Sequence, residues 1–174
     1  EPQEFGVLAL ADVYRGIEPT VARGSVKYIR VACEVRADLE QLANGEYRQD
    51  HEPFMQFYAS PVDILGGPYG WPSYVAKASY GLAPVEEDGS AHFYAPAGKQ
   101  LYLQILDKDF NELQRMRSVM QLQPGERRGC VGCHEDRRQT PPVRLGTALR
   151  REPDRLEPPP WGAGPLGYER VVQP

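Results

Sequence analysis

The sequence predicts a mainly β protein, an antiparallel β-sandwich-like domain, on three observations. Apolar residues alternate with polar ones in several short runs between residues 26 and 122. Turn-forming residues separate those runs at short intervals. No long stretch carries apolar residues at three- and four-residue spacing, so an amphipathic helix has no sequence support.

The first strong element spans residues 26 to 36, where Ile29, Val31, Cys33 and Val35 alternate with Tyr28, Arg30, Ala32 and Glu34. Such a run has one face for a core and one for solvent. Gly6 to Tyr14 and Phe54 to Ala59 are weaker strand candidates, and Tyr74 to Ser79 adds another. Cys33 reads most simply as a small buried apolar residue.

The clearest β signal lies in Pro84 to Leu122. Asp88-Gly89 suits a turn that needs positive φ at glycine, and it leads into Ala91, Phe93 and Ala95 on one face. Pro96-Ala97-Gly98-Lys99 reverses the chain before Leu101, Leu103 and Ile105. A polar turn at Asp107 to Asn111 follows. Leu113 to Leu122 then reads as one more strand, with Met116, Ser118, Met120 and Leu122 sharing a side. Inward residues from two such sheets would form the core. Between the early and late strands, Ser60 to Pro72 is rich in proline, glycine and aromatics and suits an irregular surface loop, in which Tyr69 and Trp71 are candidates to cover a cofactor.

At 174 residues the chain can bury one sizeable core. Its net charge of −4 gives no electrostatic reason to expect nucleic acid as a partner. No apolar run approaches the eighteen or so residues that span a bilayer, so no membrane insertion is expected in this chain. A basic-then-apolar leader is also missing at its start, and the expectation is a mature or excised piece.

The segment Arg128-Gly129-Cys130-Val131-Gly132-Cys133-His134 dictates a chemistry. Cys-x-x-Cys-His reads as a c-type haem attachment site: two thiols add to the two vinyl groups of one porphyrin, and the next histidine meets the iron. Cys130 and Cys133 are therefore the expected thioether anchors of one covalent haem c, with His134 as proximal iron ligand. Cys-x-x-Cys also serves zinc sites and redox dithiols. Zinc needs four ligands, usually from two short pairs, and only Cys33, His51 and His92 remain, none paired. A redox dithiol is expected beside a βαβ pattern, which the sequence lacks. The spacing favours haem over both. A thioether-bound haem in turn implies a periplasmic or otherwise extracytoplasmic setting in bacteria.

The distal iron ligand decides between electron carrier and catalyst. Met120, Met116 and His51 are the candidates, with Met55 and His92 behind them. Methionines alternating along a strand are more often core than ligand. His92 is opposite in phase to Phe93 and is expected to face solvent. The arginines around the motif, Arg115, Arg117, Arg127, Arg128, Arg137 and Arg138, read as a solvated surface that could also steer an acidic redox partner. Residues 139–174, with Pro141-Pro142 and Pro158-Pro159-Pro160, form a Pro/Gly-rich extended tail that wraps the domain or leads to a following one. The complete expectation is a β-rich haem-bearing domain over residues 1–138, ending in the attachment loop, followed by that irregular tail.

Several blocks carry a family resemblance: Gly70-Trp71-Pro72-Ser73-Tyr74-Val75, Pro84-Val85-Glu86-Glu87-Asp88-Gly89-Ser90-Ala91, Gln114-Arg115-Met116-Arg117-Ser118, and Gln123-Pro124-Gly125-Glu126-Arg127-Arg128 before the cysteines. In this order and spacing they resemble the middle domain of hydrazine synthase alpha subunits and their bacterial homologues, from about Val13 through the tail. The ending Tyr168-Glu169-Arg170-Val171-Val172-Gln173-Pro174 is similar to the approach to the next, haem-bearing domain of such proteins. The resemblance implies a haem module of a larger extracytoplasmic protein, with a redox partner protein or an adjacent haem domain as its partner and a small-molecule ligand at the iron as an open option. It also implies a haem whose counterpart joins nitrogen compounds and is met by a tyrosine shortly after the histidine. Here Glu135-Asp136-Arg137-Arg138-Gln139 has no tyrosine, so the resemblance carries haem attachment and not the reaction.

Overall fold

The computed structural model describes residues 4–34, 40–41, 47–48, 77–116, 118–134, 136, 138, 145–160 and 162. The chain is mainly β. Among the described residues, strands β1 (Phe5–Leu10), β2 (Tyr28–Glu34), β3 (Glu40–Gln41), β4 (Tyr47–Arg48), β5 (Lys77–Pro84), β6 (Ala91–Pro96), β7 (Leu101–Leu106), β8 (Glu112–Arg115) and β9 (Arg127–Cys130) are followed by a 3-10 turn, Thr147–Arg150.

Two sheets build the body, one ordered β6-β1-β9 and the other β5-β2-β7-β8. β3 and β4 pair separately as a short antiparallel ribbon. Alternation chooses the inward faces. Leu8 and Leu10 of β1, with Ala91, Phe93 and Ala95 of β6, meet Ile29 and Val31 of β2, Ala83 of β5, and Leu101 and Ile105 of β7 in one buried cluster. The long loop after β1 adds Val13, Tyr14, Ile17, Val21 and Val26 to it. There the Tyr14 hydroxyl accepts from the Val26 amide at 3.0 Å, which satisfies a polar group that burial would otherwise penalise.

The turns form where their chemistry permits. Gly89 takes φ +86° and closes on Glu86, whose amide in turn donates to Ser90. Gly98 takes φ +68° in the turn before β7. At Asp107 a carboxylate oxygen accepts from the amides of Asp109 and Asn111, an Asx-type closure. Phe110, at φ +64°, is held there by stacking on Tyr28 with 5.0 Å between ring centroids.

Three expectations change. The strand expected over Leu113 to Leu122 breaks: β8 ends at Arg115, and Met120 returns only as an isolated bridge to Leu101. Leu122 is still fully buried, whereas Ser118, expected on the same side, is exposed. The second change is β9, which the sequence offered only as an attachment loop. It pairs with β1 in parallel, whereas the other strand pairs among the described residues are antiparallel. Thirdly, His92 does face away from the core, but it is buried, because its Nδ1 lies 3.1 Å from the carbonyl oxygen of Arg151. The candidate strand Phe54 to Ala59, the loop Ser60 to Pro72 with Tyr69 and Trp71, and residues 74–76 lie outside the described residues.

Residues 147–157 run along the β5 and β6 edges. Asp154 exchanges backbone hydrogen bonds with His92 and Tyr94, and Glu157 with Leu82. Arg151 pairs with Glu86 at 2.7 Å and with Asp154 at 2.5 Å. These edges lie across the sheets from β8 and β9, so the described part of the tail stands away from Cys130.

Candidate functional site

The Cys-x-x-Cys-His segment is built onto the N-terminal strand. Val7 to Leu10 lie opposite Arg127 to Cys130 in register, with Leu10 facing Cys130. Beyond the strand the pairing continues: Ala11 and Asp12 donate their amides to the carbonyls of Cys130 and Val131 at 2.9 and 3.2 Å. The amide of His134 then donates to the carbonyl of Arg15 at 3.3 Å.

Such close backbone approach needs residues without a β-carbon. One added at Gly132 would come within 2.5 Å of the Arg15 carbonyl oxygen, and one at Gly16 within 1.8 Å of the His134 carbonyl oxygen. Gly16 also holds φ +82°, a conformation that strains any other residue.

Beside this segment the two sheets enclose a cavity of about 120 Å³. Its inner wall is the apolar core face, including Leu8, Leu10, Ile29, Phe93, Leu103 and Ile105. Cys130, Cys133, Met116 and Met120, all sulfur-bearing residues, also line the cavity, with exposed Gln114 and Arg115. Neither cysteine forms a disulfide. Cys133 keeps solvent access as a residue, yet crowding around its thiol pushes its pKa up to about 12, with the neighbouring Cys130 thiol and Asp12 adding to that effect. It is a protonated thiol at neutral pH.

The structure therefore brings together Cys130, Cys133 and two of the distal-ligand candidates, Met116 and Met120, on one cavity. His134 is exposed just outside it. His51 and Met55 lie outside the described residues. His92 sits on the far face of β6 under the tail. Among the basic residues, Arg128 pairs with Glu126 at 2.6 Å and Arg115 with Glu112 at 3.5 Å, while Arg127 and Arg138 are exposed. Buried Cys33 lies apart and bonds the Tyr80 hydroxyl, whose pKa desolvation and that bond push up to about 12.

The residues suit covalent haem by their donor set and surroundings: two thiols at the Cys-x-x-Cys spacing, a histidine beside them and an apolar wall for part of a porphyrin. At about 120 Å³ the space takes an edge of that group and not the whole of it. Among the described residues no three His, Cys, Asp or Glu side chains gather to form a zinc donor set.

Sequence reasoning missed Asp12, Arg15 and Gly16, which contact the motif through backbone atoms. A lone glycine between Arg15 and Ile17 signals a turn at most, and a carbonyl leaves no trace in residue type.

The family described as the hydrazine synthase alpha subunit middle domain matches residues 24–135, which include Cys130, Cys133 and His134. The structure of Kuenenia stuttgartiensis hydrazine synthase aligns with 86% of this chain at a TM-score of 0.61 and 21% sequence identity, a likeness of fold. This chain spans 20% of that one. No curated protein sequence matches it. With the family match covering well over half its length, the chain belongs to the hydrazine synthase alpha subunit middle-domain family.

Proposed function

We propose that this chain is a covalent c-type haem-binding module that passes electrons to or from a redox partner protein or an adjacent haem domain, within a larger extracytoplasmic protein. One observation carries the reading: Cys130 and Cys133, outside any disulfide and adjacent to His134, share the wall of one apolar cavity. The site would hold one haem c through thioethers at both cysteines, with His134 as proximal ligand. When bound, that group supplies a one-electron iron couple.

The chain's own residues do the remaining work. The β1–β9 pairing brings Cys130 to the cavity wall, where it would serve as one attachment point. Leu8, Leu10 and Phe93 exclude water from the cavity's inner side, and low polarity there tunes a nearby redox centre. Met116 and Met120 place candidate sulfur donors on the same cavity, which favours an electron carrier. The exposed arginines give a surface able to attract an acidic partner.

A catalytic haem acting on a small nitrogen or oxygen compound is the second reading, favoured by membership in a family described by hydrazine synthase. A haem with a chiefly structural role is a third. Absorption spectra of the ferric and ferrous protein, with and without carbon monoxide, separate the first two. Electron transfer predicts a six-coordinate iron slow to take up carbon monoxide. Rapid binding to a five-coordinate iron overturns it in favour of catalysis.

A further inference from the structure

We propose that Arg15 and Gly16 are positioning residues for His134, acting through the main chain. This rests on the haem reading above and adds a brace supplied from ahead of the residues, 24–135, over which the family matches.

A proximal histidine is useful only when its backbone is held, because its imidazole must keep one direction through each redox change. In this chain Cys130 is tied to β1, but His134 lies beyond the strand pair in a turn at the surface. Its amide hydrogen bond to the Arg15 carbonyl, at 3.3 Å, ties that turn to the loop after β1. The approach is tight from both sides. Gly16 faces the His134 carbonyl and Gly132 faces the Arg15 carbonyl, each where a β-carbon would overlap a backbone oxygen. Two glycines on opposing segments, each admitting the other's backbone, make a fixed contact. The Ala11 and Asp12 hydrogen bonds to Cys130 and Val131 continue the same ladder, so the main chain after β1 holds Cys130, Val131 and His134 in turn.

Gly24 supplies the control. It has φ +88°, close to the conformation of Gly16, but a β-carbon there meets nothing within 4 Å. Gly16→Ala and Gly24→Ala therefore impose the same kind of backbone strain, and only the first displaces His134.

The test uses the full chain matured with covalent haem. Spin state from absorption and electron paramagnetic resonance, together with the midpoint potential, is compared for the parent, Gly16→Ala and Gly24→Ala. Gly16→Ala is expected to raise the high-spin fraction and shift the potential, and Gly24→Ala to leave both as in the parent. Should Gly16→Ala not fold, Gly132→Ala presses on the same contact from the other side, and hydrogen exchange at the His134 amide in the parent reads the bond directly. A haem-loaded Gly16→Ala or Gly132→Ala protein with an unaltered spectrum and potential, or fast exchange at that amide, overturns the brace alone. A parent with no covalent haem overturns the haem reading and the brace with it.

Discussion

Leu10 and Cys130 face each other across the parallel pair β1–β9, and both line the same cavity. The first cysteine of the Cys-x-x-Cys-His segment is thus placed by a strand that lies well over a hundred residues earlier. The placement of Cys130 and the packing of the core are consequently one structure.

Leu10→Ala should accordingly destabilise the domain and loosen the cysteine segment together. Leu10 is 7% exposed within the core cluster, and truncating a buried leucine costs about 2–5 kcal/mol. Urea unfolding measures the loss. Leu10→Met, which keeps the volume, should cost less than about 1.5 kcal/mol. Equal, small losses for both would show that Leu10 carries no packing load.

Gly81→Ala should release the tail. Gly81 sits at the irregularity between β2 and β5, with φ +146°, and a β-carbon there would lie 2.5 Å from the Glu157 carbonyl oxygen. Strain of this kind costs on the order of 1–3 kcal/mol, and it falls where Leu82 and Glu157 exchange hydrogen bonds. Faster tryptic cleavage after Arg150 or Arg151 is the expected result. Unchanged cleavage would mean that the β6 contacts hold the tail alone.

Asp88 ties the 3-10 turn to the β5–β6 connection. Its carboxylate accepts from the Thr147 amide and hydroxyl, both at 2.8 Å, and from the Ser90 amide and hydroxyl at 3.0 and 2.6 Å. Burial pushes its pKa up, but these bonds outweigh burial and hold it well below the ordinary carboxylate range. A depressed folded pKa gives stability that is complete above the unfolded value, about 3.9, and is lost as pH falls towards the folded one. The tail contact should hold at neutral pH and weaken only below about pH 4. Asp88→Ala should cost about 1 kcal/mol at pH 7 and less at pH 3, measured by urea unfolding at both. A cost that grows on acidification would contradict this account.

Thiol chemistry should separate the three cysteines. Cys33 is 6% exposed and bonded to Tyr80, so it should resist alkylation until the chain unfolds. With Cys130 and Cys133 in thioethers, the native haem protein should show no fast thiol and the unfolded protein one. Three reactive thiols after unfolding would show that both thioethers are missing.

Much of the fold was legible because alternation reports a half-buried strand directly. Ile29 with Val31, Ala91 with Phe93 and Ala95, and Leu101 with Ile105 all point into the core that their alternation implied. Asp88-Gly89 and Gly98 turned where their chemistry allows. Legibility failed where non-local contacts decide. Met116 and Met120 fit the alternation, but past Arg115 they hold to β7 only through the Met116 amide bond to Leu103 and the isolated Met120 bridge to Leu101. The β1–β9 pair joins segments far apart, with nothing in either to name its partner. His92 has the phase of a solvent-facing residue and is buried by a tail whose course no local pattern records. For the candidate site, the spacing of Cys130, Cys133 and His134 is what the sequence offers, and the structure adds an apolar wall and the residues Met116 and Met120 beside the two cysteines. The backbone groups of Arg15 and Gly16 leave no such mark.

The most direct test of the central claim is the intact mass of the chain produced with a c-type maturation system, read beside its pyridine haemochrome spectrum. A mass increase of one haem with the c-type spectrum, abolished in Cys130→Ala/Cys133→Ala, is the predicted result. A parent chain at its bare polypeptide mass, or a haem adduct that survives loss of both cysteines, would contradict it.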